Sequence, residues 1–263
     1  MKFALVEGQR REALPNLSGN CPNCASAMVA RCGEIRNPHW AHKSTVLCDP
    51  WWENETEWHR DWKGQFPDHW QEIVHPAEDG ERHIADVRTD HGWVIEFQHS
   101  PIKPEERRAR DSFYKKLVWV VNAARLESDR AQFDKTLEAG ARICRNTRKV
   151  HLDDCRLLRH WSGSHGPIFF DFGGELLWWL LARRPDEPGI IGPFPRAEFI
   201  AIHHGNGPQG ARDFDELSKG ISEAVKKYNE AQAMLRAASM PLATSQPSGL
   251  QRYIARRRVR RRF

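Results

Sequence analysis

Two pairs of metal-binding residue types stand near the start of the sequence. Cys21 and Cys24 are separated by two residues, and so are His39 and His42. Thiolates and imidazoles are the ligands that tetrahedral zinc takes, and a two-residue gap lets each pair chelate from one tight turn. The pattern therefore predicts a closed, structural zinc site, which would keep no open position for a substrate.

The six cysteines do not form the pattern of a disulfide framework. In a cytosolic chain, a close pair such as Cys21 and Cys24 favours a metal over a bridge. Cys32 and Cys48 lie near this pair in the sequence, and either of them could displace one of the two histidines. The alternative is an idle surface pair of cysteines with solvated histidines.

A second group of polar residues falls on strand-like segments between residues 82 and 100. Side chains alternate along a strand, so Glu96 and Gln98 share one face of "WVIEFQ". A hairpin would bring this face near Asp86 of "RHIADVR". Two carboxylates with a backbone carbonyl suit Mg²⁺, which could lower the pKa of a bound water and stabilise charge on a phosphate. The alternative is an amphipathic strand that faces water.

The segments around these residues predict a compact α/β core. Residues 51–66 have helical spacing, with Glu55, His59 and Lys63 one turn apart on one stripe. Three strands follow ("HWQEIVHP", "RHIADVR" and "WVIEFQ"), then a helix after Pro104 and the fully apolar strand "LVWVVNA". The predicted order is helix, three-stranded meander, helix, strand.

Charge is distributed unevenly along the 263 residues. The net charge is +5, but residues 251–263 hold seven arginines and no acid, which leaves 33 basic and 35 acidic side chains elsewhere. An arginine-rich tail indicates polyanion binding through phosphate contacts. The alternative is a solubilising or disordered terminus. The tail arginines expected to contact nucleic acid are Arg256, Arg257, Arg258, Arg260, Arg261 and Arg262.

The apolar runs are too short to span a bilayer, and the first residues lack a signal-peptide core, so we expect a cytoplasmic protein without membrane insertion. The predicted division is a zinc-ribbon-like module at 1–49, the α/β core at 50–125 and a mainly helical region at 126–240. A linker and the arginine tail follow at 241–263. The amphipathic pattern of 213–238 predicts a helix, and the prolines of "RPDEPGIIGPFPR" indicate a loop.

Seven short segments occur in an order that resembles a known family. They are "CPNC", "GEIRNPHWAH", "ETEWH", "RHIADV", "VIEFQHSPI", "EERRARDSFY" and "LVWVV". Together they resemble the CoiA-like competence nucleases, which have the PD-(D/E)XK phosphodiesterase fold. The resemblance runs from about residue 21 to residue 121. It implies a restriction-endonuclease-like core and metal-dependent cleavage of incoming or recombining DNA.

The resemblance also implies roles for individual residues. Asp86 and Glu96 match the carboxylates that bind Mg²⁺ or Mn²⁺. Gln98 stands where many relatives of the wider fold have lysine, and it would orient water together with His59. Glu55 matches the acid of the first helix. Arg110 matches a phosphate contact, with a solvated basic face as the alternative. Lys63 is a second candidate cation for the nucleic acid, with a solvated charge as the alternative.

Two function classes remain open from the sequence. The first is a Mg²⁺-dependent deoxyribonuclease that works with recombination proteins, as a monomer or a homo-oligomer. The second is a non-catalytic nucleic-acid-binding zinc protein on a degenerate nuclease fold, which Gln98 in the lysine position keeps open. RNA is also a candidate target, since phosphate contacts do not distinguish the sugars.

Overall fold

The computed structural model of the chain describes residues 1–34, 37–44, 48–51, 55–77, 80–144, 146–184 and 187–239. The chain divides into two units between Ile221 and Ser222. The first unit contains two β-sheets and most of the helices. The described part of the second unit, 222–239, is helical. The predicted linker and arginine tail lie outside the described residues.

The N-terminal sheet has five antiparallel strands in the order β2-β1-β3-β4-β5. They are β1 (Phe3–Val6), β2 (Gln9–Glu12), β3 (Ser18–Asn20), β4 (Ala27–Arg31) and β5 (His39–His42). Glu7 and Gly8 join the first two strands, both with positive φ, which is the backbone of a two-residue hairpin turn. Trp40 and Met28 fill the small core of this module.

The second sheet has nine strands in the order β10-β11-β14-β13-β12-β9-β8-β7-β6. They are β6 (Gln71–Pro76), β7 (Arg82–Arg88), β8 (Val94–Gln98), β9 (Leu117–Asn122), β10 (Ala141–Cys144), β11 (Thr147–Val150), β12 (Ile168–Asp171), β13 (Leu176–Arg184) and β14 (Glu187–Pro195). β9 lies between β8 and β12 and is parallel to both, whereas the remaining pairs are antiparallel.

In the described part of the chain, six α-helices accompany the sheets. They are α1 (Glu57–Lys63), α2 (Pro104–Phe113), α3 (Glu127–Ala139), α4 (Arg156–Trp161), α5 (Arg196–His203) and α6 (Phe214–Ser239). α2 starts with Pro104 and has two acids in its first turn, which suits the positive end of a helix dipole. It connects β8 to β9, as a parallel strand pair requires a crossover.

β9 is buried on both faces, as its apolar run predicted. Leu117, Trp119 and Val121 belong to one hydrophobic cluster, whereas Val118 and Val120 belong to the other. This alternation shows that side chains of the strand enter both clusters. Such burial explains the continuous apolar sequence and confirms the prediction for this strand.

The region predicted to be mainly helical, 126–240, also supplies strands β10–β14. These strands continue the sheet formed by β6–β9, so the sheet crosses the boundary predicted between residues 125 and 126. The prolines of β14 had indicated a loop. β11 pairs only with Gly189–Ile191 of this strand, so Pro193 and Pro195 do not need to donate a hydrogen bond to it.

Two helix predictions had different outcomes. The amphipathic helix expected at 213–238 is observed as α6. The helix expected at 51–66 begins only at Glu57, so Glu55 precedes it, while 52–54 lie outside the described residues. Within the part of the chain that the structure describes, every helix is too short or too polar to cross a bilayer.

Candidate metal centres

Four soft donors meet in the N-terminal module. The ligand atoms of Cys21, Cys24, His42 and Cys48 all lie within 4.8 Å of one another. Cys21 Sγ is 3.5 Å from Cys48 Sγ, and Cys24 Sγ is 3.3 Å from His42 Nε2. Three thiols and one imidazole are a donor set of structural zinc sites. This Cys₃His cluster could therefore hold a structural metal such as zinc.

The cluster differs from the predicted ligand set in one member, because Cys48 takes the place given to His39. Both histidines lie on β5, three residues apart, so alternation puts their side chains on opposite faces of the strand. His39 Nδ1 instead lies 2.9 Å from the Asn37 carbonyl oxygen. Cys32 packs against the core of the module without joining the cluster.

Two thiols of the cluster, those of Cys24 and Cys48, have strongly shifted pKa values. Burial opposes ionisation of Cys24, but hydrogen bonds with Ser26, Cys48 and His42 together outweigh it and lower the pKa of Cys24 to about 6. Burial and the neighbouring thiols raise the pKa of Cys48 to about 12. Two thiolates so close together repel each other, and a dication would remove that repulsion.

Three acids form a row across neighbouring strands of the larger sheet, which we call the acidic row (Glu72, Asp86 and Glu96). The antiparallel register of β6 and β7 pairs Gln71 with Val87 and Ile73 with Ala85, which puts Glu72 at the level of Asp86 between these two pairs. The register of β7 and β8, extended by one position, places Asp86 opposite Glu96. The Phe97 N–H donates to Asp86 Oδ2 at 3.0 Å. Like charges in directly opposite positions repel, so this row needs cations.

The acidic row lines a cavity of about 70 Å³, which we call the acidic cavity. Its lining consists of Met1, Asp49, Trp51, Glu55, His59, Lys63, Glu72, Ile84, Asp86, Glu96 and Arg110. Among these described residues, five side chains are acidic and two are lysine or arginine. A buried water needs only about 10–15 Å³, so the cavity has room for an ion with a few waters. Its excess of acids favours a cation.

Glu96 is buried and only half satisfied. Its Oε2 accepts a hydrogen bond from Arg110 Nη1 at 2.8 Å, whereas the buried Oε1 accepts none. Burial and the Asp86 carboxylate raise the pKa of Glu96 to about 8, against the opposing effect of Arg110. Buried polar atoms almost always have a partner, so Oε1 marks a position for a ligand.

The two predicted metal carboxylates therefore line one cavity. In the described residues, however, the Cys₃His cluster is the one group of three or more Cys, His or acid donors within 4.8 Å of one another. Asp86 and Glu96 do not join a third such donor at that spacing. A cation held between them would need main-chain oxygen or water to complete its ligands.

Lys63 and Arg110 lie inside this site and not on an open surface. The Lys63 ammonium contacts Glu55 and, at 3.0 Å, Glu72. Burial opposes its charge, but the acids around it raise the pKa of Lys63. Arg110 Nη2 donates to the Trp51 carbonyl oxygen at 2.7 Å, and both cations are about 95% buried. The acidic row accounts for the burial of these two cations, and their contact with a phosphate beside the metal site stays a prediction.

His59 is oriented by the start of its helix. The Thr56 N–H donates to His59 Nδ1 at 3.2 Å, while Thr56 Oγ1 caps the His59 N–H, which makes a reciprocal capping box. Because Nδ1 accepts this hydrogen bond, the neutral ring carries its proton on Nε2. His59 also lines the acidic cavity. A neutral His59 can therefore donate a hydrogen bond from Nε2.

Glu55 and Gln98, the other two predicted catalytic residues, lie in different environments. Glu55 stands before the helix, where it accepts from Arg60 Nε at 3.0 Å and contacts Lys63. Gln98 is buried beyond the described lining of the cavity, and its Nε2 donates to the Ser100 carbonyl oxygen at 2.9 Å. The structure thus brings Glu55, but not Gln98, to the cavity.

Asp49 is a residue of this site that sequence reasoning missed. Its carboxylate accepts from the Ile84 N–H at 2.8 Å and the Trp51 N–H at 3.0 Å, and it meets His83 Nδ1 at 2.9 Å. Because it follows Cys48, one short segment connects the Cys₃His cluster to β7. An acid directly after a candidate ligand is the signal that could have found it.

Glu72 is the second missed residue. It is 6% exposed and accepts the backbone N–H of Lys2 at 2.8 Å and that of Phe3 at 3.1 Å. Burial alone would raise the pKa of Glu72. The Lys63 ammonium outweighs this effect and lowers the pKa of Glu72 to about 2. Its φ of 47° is in the left-handed region, which nothing in "HWQEIVHP" signals.

Comparison with known proteins gives one match. Residues 7–50 match the family model of the N-terminal domain of competence protein CoiA. No curated protein and no solved structure matches the chain. The match contains the whole Cys₃His cluster and Asp49 and ends before the acidic row. The N-terminal module is thus similar to a CoiA N-terminal domain, which supports a CoiA-like interpretation of the chain.

Proposed function

We propose that the chain is a metal-dependent nuclease that cleaves DNA in a competence-related process. The observation that carries this proposal is the buried, unpartnered Glu96 Oε1 in a cavity shared with Asp86. Carboxylate oxygens are the ligands that hard divalent cations take. The residues therefore fit Mg²⁺ or Mn²⁺.

The order of elements around the cavity supports the proposal. α1 precedes the antiparallel strands β6, β7 and β8, and α2 then leads into β9, which is parallel to β8. This is the order expected for a restriction-endonuclease-like core. The proposed ligands come from two adjacent strands of that core, which are rigid positions for a site.

The proposed chemistry divides among the cavity residues. Asp86 and Glu96 would hold the metal, which when bound would supply positive charge to a phosphate oxygen and make water more acidic. Glu55 would hold the Lys63 ammonium near the negative charge of the phosphate. His59 would donate a hydrogen bond from Nε2 that orients the attacking water, as its tautomer allows. Gln98 would shape the turn after β8 through its bond to Ser100.

The remaining parts of the chain would bind and position the nucleic acid. The Cys₃His cluster would hold structural zinc and keep the N-terminal module folded. The arginines of 251–263 would contact phosphates, which gives affinity without sequence preference. The similarity of residues 7–50 to the CoiA N-terminal domain supports the connection to competence.

The first prediction concerns Glu96. Glu96→Gln keeps the size of the side chain but removes the charge that would hold the metal. We expect cleavage of plasmid and oligonucleotide DNA to fall by at least about a hundredfold, since even outer-shell partners of metals cost about 10–100-fold. The measurement is a cleavage series in Mg²⁺, Mn²⁺, Ca²⁺ and chelator.

Glu105→Gln is the matched control, because Glu105 is an exposed acid of α2 paired with Arg108. It should cleave like the wild type, and both variants should keep their circular dichroism. Undiminished cleavage by folded Glu96→Gln would refute the assignment. An RNA series run alongside shows which nucleic acid is the substrate.

A non-catalytic nucleic-acid-binding protein is the second candidate. It is favoured by the two buried cations, because Lys63 and Arg110 already neutralise part of the acidic cavity. On this alternative, DNA binds in Ca²⁺ and in Mg²⁺ alike and is cleaved in neither. The nuclease instead binds in both and cleaves in Mg²⁺.

A further inference from the structure

Three neighbouring strands of the larger sheet end side by side. β8 and β12 both run parallel to β9, which lies between them, so their carboxyl ends meet at one edge. Asp171 of β12 pairs with Asn122 of β9, and the Asn122 side-chain amide donates to Nδ1 of His99, directly after β8, at 2.9 Å. We call these three residues the carboxyl edge. In open sheets with parallel strands, ligands bind at this end of the strands.

The Asp171 carboxylate orients side chains from two helices at the carboxyl edge. It is 1% exposed, and its Oδ2 accepts from Trp58 Nε1 at 2.9 Å and from Trp62 Nε1 at 2.8 Å. Arg196 Nη1 lies farther from the same oxygen, at 3.4 Å. Because the two indole N–H groups match the two lone pairs of this oxygen, the arginine makes only a weak contact with it. That contact uses one of the five donors of a guanidinium.

Arg196 is a partly exposed cation at the start of α5. Its guanidinium carbon lies 3.8 Å from the centroid of the Trp62 ring, and its side chain is 24% exposed. Lys63 and Arg110 of the acidic cavity are only about 5% exposed and contact acids at 3.0 Å or less. Arg196 is therefore accessible to a phosphate from solvent, whereas these two cations are buried.

His59 connects the carboxyl edge to the acidic cavity. Its ring centroid lies 5.4 Å from that of Trp58 and 5.8 Å from that of His99, and Trp58 lies 6.1 Å from His99. The three rings thus form one contiguous group, in which Trp58 and His99 are half-buried. Because His59 also lines the acidic cavity, a DNA strand with a phosphate at the cavity has this group beside its next nucleotides.

We propose that Trp58 and Arg196 form a binding site for a single-stranded nucleotide beside the acidic cavity. Trp58 stacks on a base, and Arg196 contacts a phosphate. Aromatic and basic side chains together bind single strands of any sequence, because every base presents a stacking face. The inference rests on the proposed function for DNA as the ligand. It goes further by placing an unpaired nucleotide next to the site of cleavage.

The test compares two single-stranded oligomers of equal length, oligothymidylate and an abasic chain of deoxyribose phosphates. The zinc-loaded full chain is used in Ca²⁺, and affinity is measured from the fluorescence anisotropy of the labelled oligomer. Trp58→Leu should weaken the binding of oligothymidylate by about 5–150-fold, the loss of one stacked base. The same substitution should change the affinity for the abasic chain by less than about twofold.

Arg196→Gln should show a different pattern, because a phosphate contact does not depend on the base. It should weaken the binding of both oligomers by the same factor. The slope of log K against log salt should fall by about 0.7 for the one phosphate that is no longer neutralised. A loss restricted to oligothymidylate, or no loss, would contradict the phosphate contact.

The chain offers a matched control for each substitution. Trp178→Leu changes a half-buried tryptophan that packs against the other hydrophobic cluster. Arg130→Gln changes an arginine that likewise lies over an aromatic ring, that of Phe172, and pairs with an aspartate, Asp134. Both variants should bind the two oligomers like the wild type.

The abasic chain separates base stacking from a purely structural role of Trp58. Equal weakening of both oligomers by Trp58→Leu, or no weakening of either, would overturn the inference. If Trp58→Leu does not fold, the wild type decides. It must bind oligothymidylate more tightly than the abasic chain, and equal affinities contradict the proposed stacking.

Failure of the proposed function looks different from failure of this inference. A wild type that shows the Trp58 effect but cleaves no DNA in Mg²⁺ keeps the nucleotide site and loses the nuclease. A wild type that cleaves DNA, while Trp58→Leu binds both oligomers equally well, defeats the inference alone. If the wild type binds neither oligomer, both fall together.

Discussion

His203 is a buried histidine with a purely aromatic setting. It is 1% exposed, its ring stacks on Phe214 at 5.0 Å between centroids, and Phe199 meets it edge-on at 4.9 Å. Its Nε2 has no hydrogen-bond partner. Burial, with the nearby His204 and His91, lowers the pKa of His203 to about 3. The folded state therefore keeps this ring neutral.

This histidine predicts a loss of stability in mild acid. The unfolded chain takes up a proton near the usual histidine pKa of about 6.5, whereas the folded chain does so only near pH 3. Because the unfolded state binds more protons between these values, the free energy of unfolding falls as the pH drops below about 6.5. The slope from this group approaches about 1.4 kcal/mol per pH unit.

Urea denaturation between about pH 7 and pH 5 measures this slope. His203→Leu should reduce it by nearly the full contribution of one proton. His165→Leu, at an exposed histidine, should leave it unchanged. The same slope in His203→Leu and wild type would contradict the prediction.

At the residue scale, the proposed metal ligands could be identified from the sequence. The residues that surround them in the folded chain could not. Alternation along "WVIEFQ" and a hairpin to "RHIADVR" predicted that Asp86 and Glu96 lie near each other, and both line one cavity. The left-handed backbone of Glu72 and the burial of Lys63 could not be predicted, because they depend on contacts between distant segments. Local spacing contains no information about such contacts.

The strand β5 decides which residues can form the Cys₃His cluster. Both histidines of "HWAH" looked equally good when read as a tight turn. An extended strand sends residues three apart to opposite faces, so only His42 reaches the thiols. Cys48 completes the set from the segment that follows.

Zinc content tests this assignment with two matched pairs. Cys48→Ser and His42→Ala should lose bound zinc, because each removes one of four ligands from a closed site. Cys32→Ser and His39→Ala should keep about one zinc per chain. Zinc is measured by elemental analysis after dialysis against a weak chelator. If Cys48→Ser retains zinc and His39→Ala loses it, the ligands are those predicted from the sequence, with His39 in place of Cys48.

At the element scale, the strength of the periodic pattern determined what could be predicted. β9 and α6 have clear patterns over their whole length and were predicted correctly. β13 and β14 were not, because "ELLWWLLA" fits a buried helix as well as a strand, and the prolines of β14 argue against a sheet. Pairing with β11 and β12, which is a tertiary effect, determines these elements.

At the scale of the whole molecule, the C-terminal tail is strongly basic, whereas the rest of the chain is close to neutral. The seven arginines of 251–263 turn a body of 33 basic and 35 acidic side chains into a chain of net charge +5. Lys63 and Arg110 are buried against acids, and their contact with nucleic acid stays a prediction. We therefore expect the tail to provide most of the electrostatic affinity for nucleic acid.

Removal of residues 240–263 tests this expectation. In Ca²⁺, the shortened chain should bind DNA more weakly, and the dependence of affinity on salt should flatten. On duplex DNA, the slope of log K against log salt should fall by about 0.9 for each phosphate that the tail no longer neutralises. A full-length chain with glutamine at the seven arginines is the matched control and should behave like the shortened one. An unchanged slope would assign the phosphate binding to another part of the chain.

The attachment of the N-terminal module also constrains the order of events during synthesis. Residues 2 and 3 are held by Glu72, and Asp49 is held by the main chain of Ile84. While the chain has left the ribosome only as far as residue 50, neither Glu72 nor Ile84 is outside the exit tunnel. The N-terminal module therefore cannot make these contacts until strands β6 and β7 emerge, although all four residues of its Cys₃His cluster have already been synthesised. During that interval its thiols are exposed to whatever metals and oxidants the nascent chain meets.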